Sequence, residues 1–159
     1  MKNLEININI SILKESEIDE IEKELVDKAK SSTHRSYAPY SNFSVGAAVL
    51  LDNGIIVEGS NQENCAYPSG ICAERTALFY ANSRYPDNKI LSLAIAARDT
   101  EGNFTKLPIS PCGSCRQVFV EILNRQKSPF KVILYGLDGI YIVNSALDLM
   151  PFSFNSSFL

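Results

Sequence analysis

Phe130-Lys131-Val132-Ile133-Leu134-Tyr135-Gly136-Leu137-Asp138-Gly139-Ile140-Tyr141-Ile142-Val143 decides how the sheet must be built. Phe130–Tyr135 and Ile140–Val143 are rich in β-branched and aromatic residues, which predicts two strands. Only a few residues around Asp138-Gly139 separate them, and Asp-Gly is a hairpin turn signal. A parallel partner needs a crossover of roughly a dozen or more residues. The two strands therefore run antiparallel, and the sheet is expected to be mixed. Upstream, Ile90–Ala97 is a nearly continuous apolar run, as expected of a central strand covered on both faces. After a polar turn over Asp99–Asn103, Leu107–Ser110 brings the chain back to a helix over Cys112–Gln126, with Val118, Phe119, Ile122 and Leu123 inward. Downstream come a short helix near Ala146 and a tail carrying Phe152, Phe154 and Phe158.

The first half follows the same logic. Phe43–Leu51, the turn Asp52-Asn53-Gly54 and Ile55–Gly59 predict a hairpin. Before it, Ser16 is the expected N-cap of a helix with Ile18, Ile21, Leu25 and Ala29 on one face, fading before Pro39. After it, Cys72 opens a helix to about Arg84 whose Ala73, Ala77 and Ala81 form a small-residue face suited to close packing on a sheet. At the start, Leu4, Ile6, Ile8, Ile10 and Ile12 alternate with mostly polar residues. Period two predicts a half-buried edge strand; a loosely attached leader is the alternative. The organisation expected is a leader over residues 1–14 and a single domain over 15–159.

A chain of 159 residues suits one domain with a sizeable core. The net charge of −3 weighs against a nucleic-acid surface. No apolar run approaches the roughly 20 residues a membrane helix needs, and no signal peptide is read at the N-terminus. Four cysteines, two of them as Cys112-Gly113-Ser114-Cys115, then point to metal or redox use in a reducing cytoplasm.

The chemistry is carried by Cys72-Ala73-Glu74-Arg75 and Pro111-Cys112-Gly113-Ser114-Cys115. Three thiolates hold a zinc ion and leave the fourth tetrahedral position for water. Glu74, two residues after the first sulfur, flanks that position without being a ligand. The pair of motifs is the three-cysteine variant of the zinc-deaminase signature, with a glutamate as general acid and base. Both cysteine groups fall at helix starts, where thiolates are stabilised. Arg75 and those helix starts offset the negative cluster, and Gln117 is a candidate hydrogen-bond donor to sulfur. Each feature also has a plainer reading. Cys112–Cys115 alone resembles a dithiol redox motif, though Cys72-Ala73-Glu74 has no place in one. Cys65 is a candidate fourth sulfur that would close a structural zinc site, against a small half-buried thiol as the default. His34, the only histidine, is expected in solvent. Phe43, Tyr67, Phe152 and Phe154 are core by default, unless one stacks on a planar ring.

Pro39-Tyr40-Ser41-Asn42-Phe43-Ser44-Val45-Gly46-Ala47-Ala48, Asn61-Gln62-Glu63-Asn64, Cys72-Ala73-Glu74-Arg75-Thr76-Ala77 and Pro111-Cys112-Gly113-Ser114-Cys115-Arg116-Gln117 stand in that order. With them the chain closely resembles the cytidine deaminases, of the short-chain homotetrameric type, from about Ser16 to Phe154. The resemblance implies an α/β fold: a three-layer α-β-α sandwich with a five-stranded mixed sheet, its last two strands antiparallel. It implies hydrolysis of free cytidine and deoxycytidine to the uridines, in pyrimidine salvage, with one zinc per chain on Cys72, Cys112 and Cys115. Glu74 would move protons between water, ring N3 and the departing amino group. Ala66 and the Ala73 backbone N–H would line the pyrimidine, with the Ser110 carbonyl near the leaving ammonia. Asn61 and Glu63 would bond a ribose hydroxyl, and Phe43 would stack on the base. Tyr67 and Phe154 would reach a neighbouring subunit's site. The partner implied is a nucleoside, not a nucleic acid or a membrane. Gln62, where aliphatic residues are common, Phe152 and the leader depart from the family pattern. The rivals are a deaminase of another aminated ring such as blasticidin S, a structural zinc module, and a dithiol oxidoreductase.

Overall fold

The computed structural model describes residues 1–159. Its strands are β1 (Ile10–Leu13), β2 (Ser44–Leu51), β3 (Ile56–Ser60), β4 (Ile90–Arg98), β5 (Lys131–Gly136) and β6 (Gly139–Val143). Its helices are α1 (Glu20–Ser32), α2 (Ala73–Arg84) and α3 (Gly113–Gln126). The sheet order is β1-β6-β5-β4-β2-β3. β4 and β5 are parallel, with α3 in the crossover between them. Every other neighbouring pair is antiparallel, including the β5–β6 hairpin that the Asp138-Gly139 turn demanded.

The sheet has six strands rather than the five expected. The sixth is β1, whose Ile10–Leu13 pair with Val143–Ile140 along the edge of β6. Ladder hydrogen bonds to β6 order this short stretch, and its Leu13 packs against the core under α1. The leader thus divides: Leu4, Ile6 and Ile8 lie outside any strand and are exposed, while the last part of the same alternation is sheet.

The start of α1 also differs. Its N-cap is Asp19, not Ser16: the Asp19 carboxylate accepts from the Glu22 N–H at 2.7 Å while Glu22 reaches back to the Asp19 N–H. That reciprocal box satisfies two otherwise unpaired donors, which a lone serine three residues earlier does not. Leu25, Val26 and Ala29 meet the sheet, whereas Ile21 in the first turn stays 60% exposed.

Alternation along the strands sorts side chains into two layers of core. Ala48, Ala94, Ala96, Ile133, Ile140 and Ile142 face α1. Ala47, Val49, Leu93, Ile95, Val132 and Leu134 face α2 and α3, where Phe119 and Phe130 meet edge to face at 5.6 Å. The α-β-α layering expected is therefore present. Two glycines let the helices approach. A Cβ on Gly46 would lie 2.1 Å from the Ala29 carbonyl oxygen of α1, and one on Gly59 2.6 Å from the Ala77 nitrogen of α2. Gly59 and the small face of Ala73, Ala77 and Ala81 seat α2 directly on β3. This contact sets where the first turn of α2, and the site it carries, stands above the sheet.

Candidate active site

Cys72 and Cys112 are the N-caps of α2 and α3, and Cys115 lies in the first turn of α3. Two helix N-termini thus converge on one cluster of sulfurs. Sγ of Cys72 is 3.7 Å from that of Cys112, which is 3.5 Å from that of Cys115. A tetrahedral zinc with bonds of about 2.3 Å sets sulfurs roughly 3.8 Å apart. All three ligand atoms lie within 4.8 Å of one another, so the donor set fits zinc without rearrangement of the backbone. Cys115 is buried behind the other two, while Cys72 and Cys112 line a cleft of about 650 Å³. The open side of the triangle therefore faces the cleft.

Two of the thiols, Cys72 and Cys115, are pushed in opposite directions. Cys72 is pulled down to about 5, chiefly by its hydrogen bond with Cys115, then by Arg75 and Cys112. The same bond with Cys72, followed by burial, pushes Cys115 far up. Cys72 thus takes the thiolate form readily, while Cys115 resists it. A divalent cation supplies the charge that lets all three deprotonate. Arg75 already lends some of it, with Nη2 3.7 Å from the Cys72 sulfur.

Glu74, 3% exposed, opens into the same cleft from the first turn of α2. Burial raises its pKa first, and the neighbouring Cys72 adds to the rise. A buried carboxyl beside a metal triangle is suited to carrying protons in both directions.

Opposite the sulfurs lies the segment that follows β3. Gln62 pairs its backbone with Ile71 in both directions at 2.9 Å, tying this segment to the stretch that enters Cys72. Asn61 and Glu63, on either side of it, line the cleft. Asn61 Oδ1 accepts from the Val45 N–H at 2.8 Å and from the Ser36 hydroxyl at 2.5 Å, and its Nδ2 donates to the Phe43 carbonyl at 2.9 Å. Glu63 accepts from the Ser41 hydroxyl at 2.5 Å and from the Tyr40 and Ser41 N–H groups at 2.9 and 3.2 Å. The Ser41 hydroxyl foremost, with the Tyr40 N–H, holds the Glu63 carboxyl below its usual range.

Ala73, Ser110 and Tyr67 also line the cleft, with Tyr67 81% exposed at its rim. Ala66 is exposed beside it, its N–H held by the Asn64 side chain at 2.9 Å. Phe43 and Phe154 are not among the lining residues. Phe154 is 59% exposed and stacks on Phe158 with centroids 5.9 Å apart. Gln117 does not reach a sulfur; its Nε2 donates to the Phe154 carbonyl at 2.8 Å and ties the tail to α3. Cys65 is exposed rather than half-buried and lies outside the sulfur triangle, so no fourth thiol closes it. His34 is exposed as expected, with Nε2 2.8 Å from an Arg98 nitrogen.

Sequence reasoning passed over Ser36 and Ser41, the serines that hold Asn61 and Glu63. Ser41 stood only within the Pro39–Ala48 motif with no role given to it, and Ser36 carried no signal. Arg116, too, bridges the Pro111 and Leu149 carbonyls at 2.8 and 2.9 Å, bracing the second cysteine loop.

Comparison with known proteins agrees with this geometry. The family model described as "Cytidine and deoxycytidylate deaminase zinc-binding region" matches residues 19–128. The chain is 41% identical over 136 residues to a cytidine deaminase of Sporosarcina psychrophila, covering 86% of this chain and 92% of the relative. It is 37% identical over 132 residues to one from Halalkalibacterium halodurans, covering 83% and 92%. Among solved structures, the cytidine deaminase of Burkholderia pseudomallei superposes with a TM-score of 0.70 at 38% identity, covering 82% of this chain and 97% of that one.

Proposed function

The chain belongs to the cytidine and deoxycytidylate deaminase family, and from that premise we propose that it hydrolyses both cytidine and deoxycytidine to the uridines with release of ammonia. The observation that carries this reading is the three-sulfur triangle opening, beside buried Glu74, onto a cleft that also bears Asn61 and Glu63. Cys72, Cys112 and Cys115 would hold one zinc per chain. When bound, the ion supplies a Lewis acid that lowers the pKa of a water at its open position.

The remaining work falls to the chain's own groups. Glu74 takes one proton from the water and delivers it to ring N3 as oxygen adds at C4, then carries the second water proton to the amino nitrogen. One water is consumed, the C4–N bond breaks, and ammonia leaves. Burial favours the first half of this role, because raising the Glu74 pKa makes its carboxylate a better base toward the water. The Ala73 N–H and Ala66 would lie along the pyrimidine, and the Ser110 carbonyl near the departing ammonia. Glu63 accepts from a sugar hydroxyl and Asn61 donates to it, while stacking of Phe43 on the base requires its ring to turn into the cleft, which it does not line here. Arg75 offsets the negative charge of the thiolates.

The exposure of Tyr67 and Phe154 supports their assignment to sites in neighbouring subunits of a homotetramer. We assign catalysis to residues 15–159 and treat 1–14 as a leader. No helix is long and apolar enough to cross a membrane. The proposed setting is pyrimidine salvage in the cytoplasm.

The test follows the cytidine absorbance band with purified enzyme and with the Glu74→Gln variant, zinc content measured on both. Loss of the band with wild type, and a rate about 10²–10⁴-fold lower in the variant at equal zinc, is expected. A one-zinc protein that leaves both nucleosides unchanged sinks the proposal.

A further inference from the structure

Asn61 is held at more points than its place in the fold requires. Its Oδ1 accepts from the Val45 N–H at 2.8 Å and its Nδ2 donates to the Phe43 carbonyl at 2.9 Å. Those two bonds alone determine which end of the amide is oxygen, because a backbone N–H only donates and a carbonyl only accepts. The Ser36 hydroxyl then donates to the same Oδ1 at 2.5 Å. An amide oxygen has two lone pairs and an amide nitrogen two hydrogens. Both lone pairs are occupied, and one Nδ2 hydrogen remains for the cleft that Asn61 lines.

We infer that Ser36 is a positioning and specificity residue: by filling the second Oδ1 lone pair, it makes Asn61 a pure hydrogen-bond donor toward the substrate. Glu63 beside it is a pure acceptor, its ionised form favoured by the Ser41 hydroxyl. A donor and an acceptor side by side select a group that both accepts and donates, which is what a sugar hydroxyl does. Without the Ser36 hydroxyl, Oδ1 regains an open lone pair. The amide is then fixed by two bonds instead of three, and the Nδ2 hydrogen it offers to the cleft is less well aimed. The Ser36 backbone does not depend on its hydroxyl for its place. The neighbouring Tyr37 N–H donates to the Asn61 carbonyl at 3.0 Å, and Gln62 Nε2 and the Ser60 hydroxyl both donate to the Arg35 carbonyl, at 3.1 and 2.9 Å. Serine to alanine at this position therefore removes one hydrogen bond and leaves the loop laced down.

This inference rests on the proposed reading of Asn61 and Glu63 as the grip on the sugar. The experiment compares cytidine with 2′,3′-dideoxycytidine, which lacks both ring hydroxyls, in wild type, Ser36→Ala and Ser36→Thr, with melting temperatures recorded. Loss of one net hydrogen bond corresponds to a roughly 3- to 10-fold change. Ser36→Ala is expected to raise KM for cytidine by that factor with kcat little changed and the dideoxy substrate unaffected, so the preference between them narrows. Ser36→Thr keeps a hydroxyl and restores the wild-type ratio. Equal losses on both nucleosides, or a fall in kcat at constant KM, overturn the assignment of Ser36 and leave the sugar grip standing. A wild-type enzyme that does not distinguish the two nucleosides overturns the grip, and Ser36's role with it.

Discussion

Gly59→Ala tests whether the seat of α2 on β3 controls the proposed zinc site. The added Cβ would lie 2.6 Å from the Ala77 nitrogen, 2.7 Å from the Ala73 carbonyl oxygen and 3.0 Å from the Ala77 Cα. All three are backbone atoms, so no side chain can swing aside. Relief requires α2 to retreat by roughly 0.5–1 Å toward ordinary contact distance. Overpacking of this kind costs about 1–3 kcal/mol, and for a chain of this size each kcal/mol lowers Tm by about 2–4 °C. Cys72 and Glu74 move with the helix, whereas Cys112 and Cys115 stay on α3. A metal site tolerates only about 0.2 Å of error in its bonds, so zinc affinity should fall by roughly tenfold or more. The assay is a thermal melt of the zinc-loaded protein, with competition for zinc by a chromogenic chelator. Gly113→Ala is the control. It adjoins ligand Cys112, yet a Cβ there meets nothing within 4 Å, and alanine early in a helix should be neutral or mildly stabilising. Wild-type stability and zinc affinity in Gly59→Ala would refute the reasoning. Lost stability with zinc affinity intact would show that α2 does not transmit the shift to the site.

Three further outcomes are expected. Cys65→Ser should keep one zinc per chain and full turnover, since that thiol is exposed and outside the triangle; a loss of zinc would restore it as a ligand. Gln117→Ala should free the tail by removing the bond to the Phe154 carbonyl, raising KM while leaving zinc affinity unchanged; weakened zinc binding would return Gln117 to the sulfurs. Glu63 titrates below its ordinary value because the Ser41 hydroxyl and the Tyr40 N–H favour its ionised form. Its contribution is therefore present above the unfolded carboxylate range and lost as pH falls through the folded value. Ser41→Ala should move the Glu63 carboxyl NMR titration upward, and an unshifted curve would assign the depression to another cause.

The sequence was most informative where chemistry is local. Three clustered thiols, the glutamate two residues after the first of them, and helix starts beside both cysteine groups are written in nearby residues, and the fold brings the three sulfurs together at two helix starts. The tight turn at Asp138-Gly139 likewise allowed only an antiparallel pair. Pattern alone misled where competing partners decide. Leu4–Ile12 alternates throughout, but only the stretch within reach of the β6 edge becomes strand. Ser16 was a competent cap, yet Asp19 with Glu22 satisfies more of the helix end.

By itself, the sequence pointed to the groups that the fold gathers at the cleft: three sulfurs, one carboxylate, and the helices that present them. Tertiary structure alone decided what each remaining polar group is for. Ser36 reaches Asn61 across 25 residues of chain, Ser41 reaches Glu63 across 22, and Gln117 meets a tail carbonyl 37 residues away instead of a sulfur. The reason is physical. A ligand's identity resides in its own atoms, but a hydroxyl or amide takes its role from whichever partner the fold brings within about 3 Å.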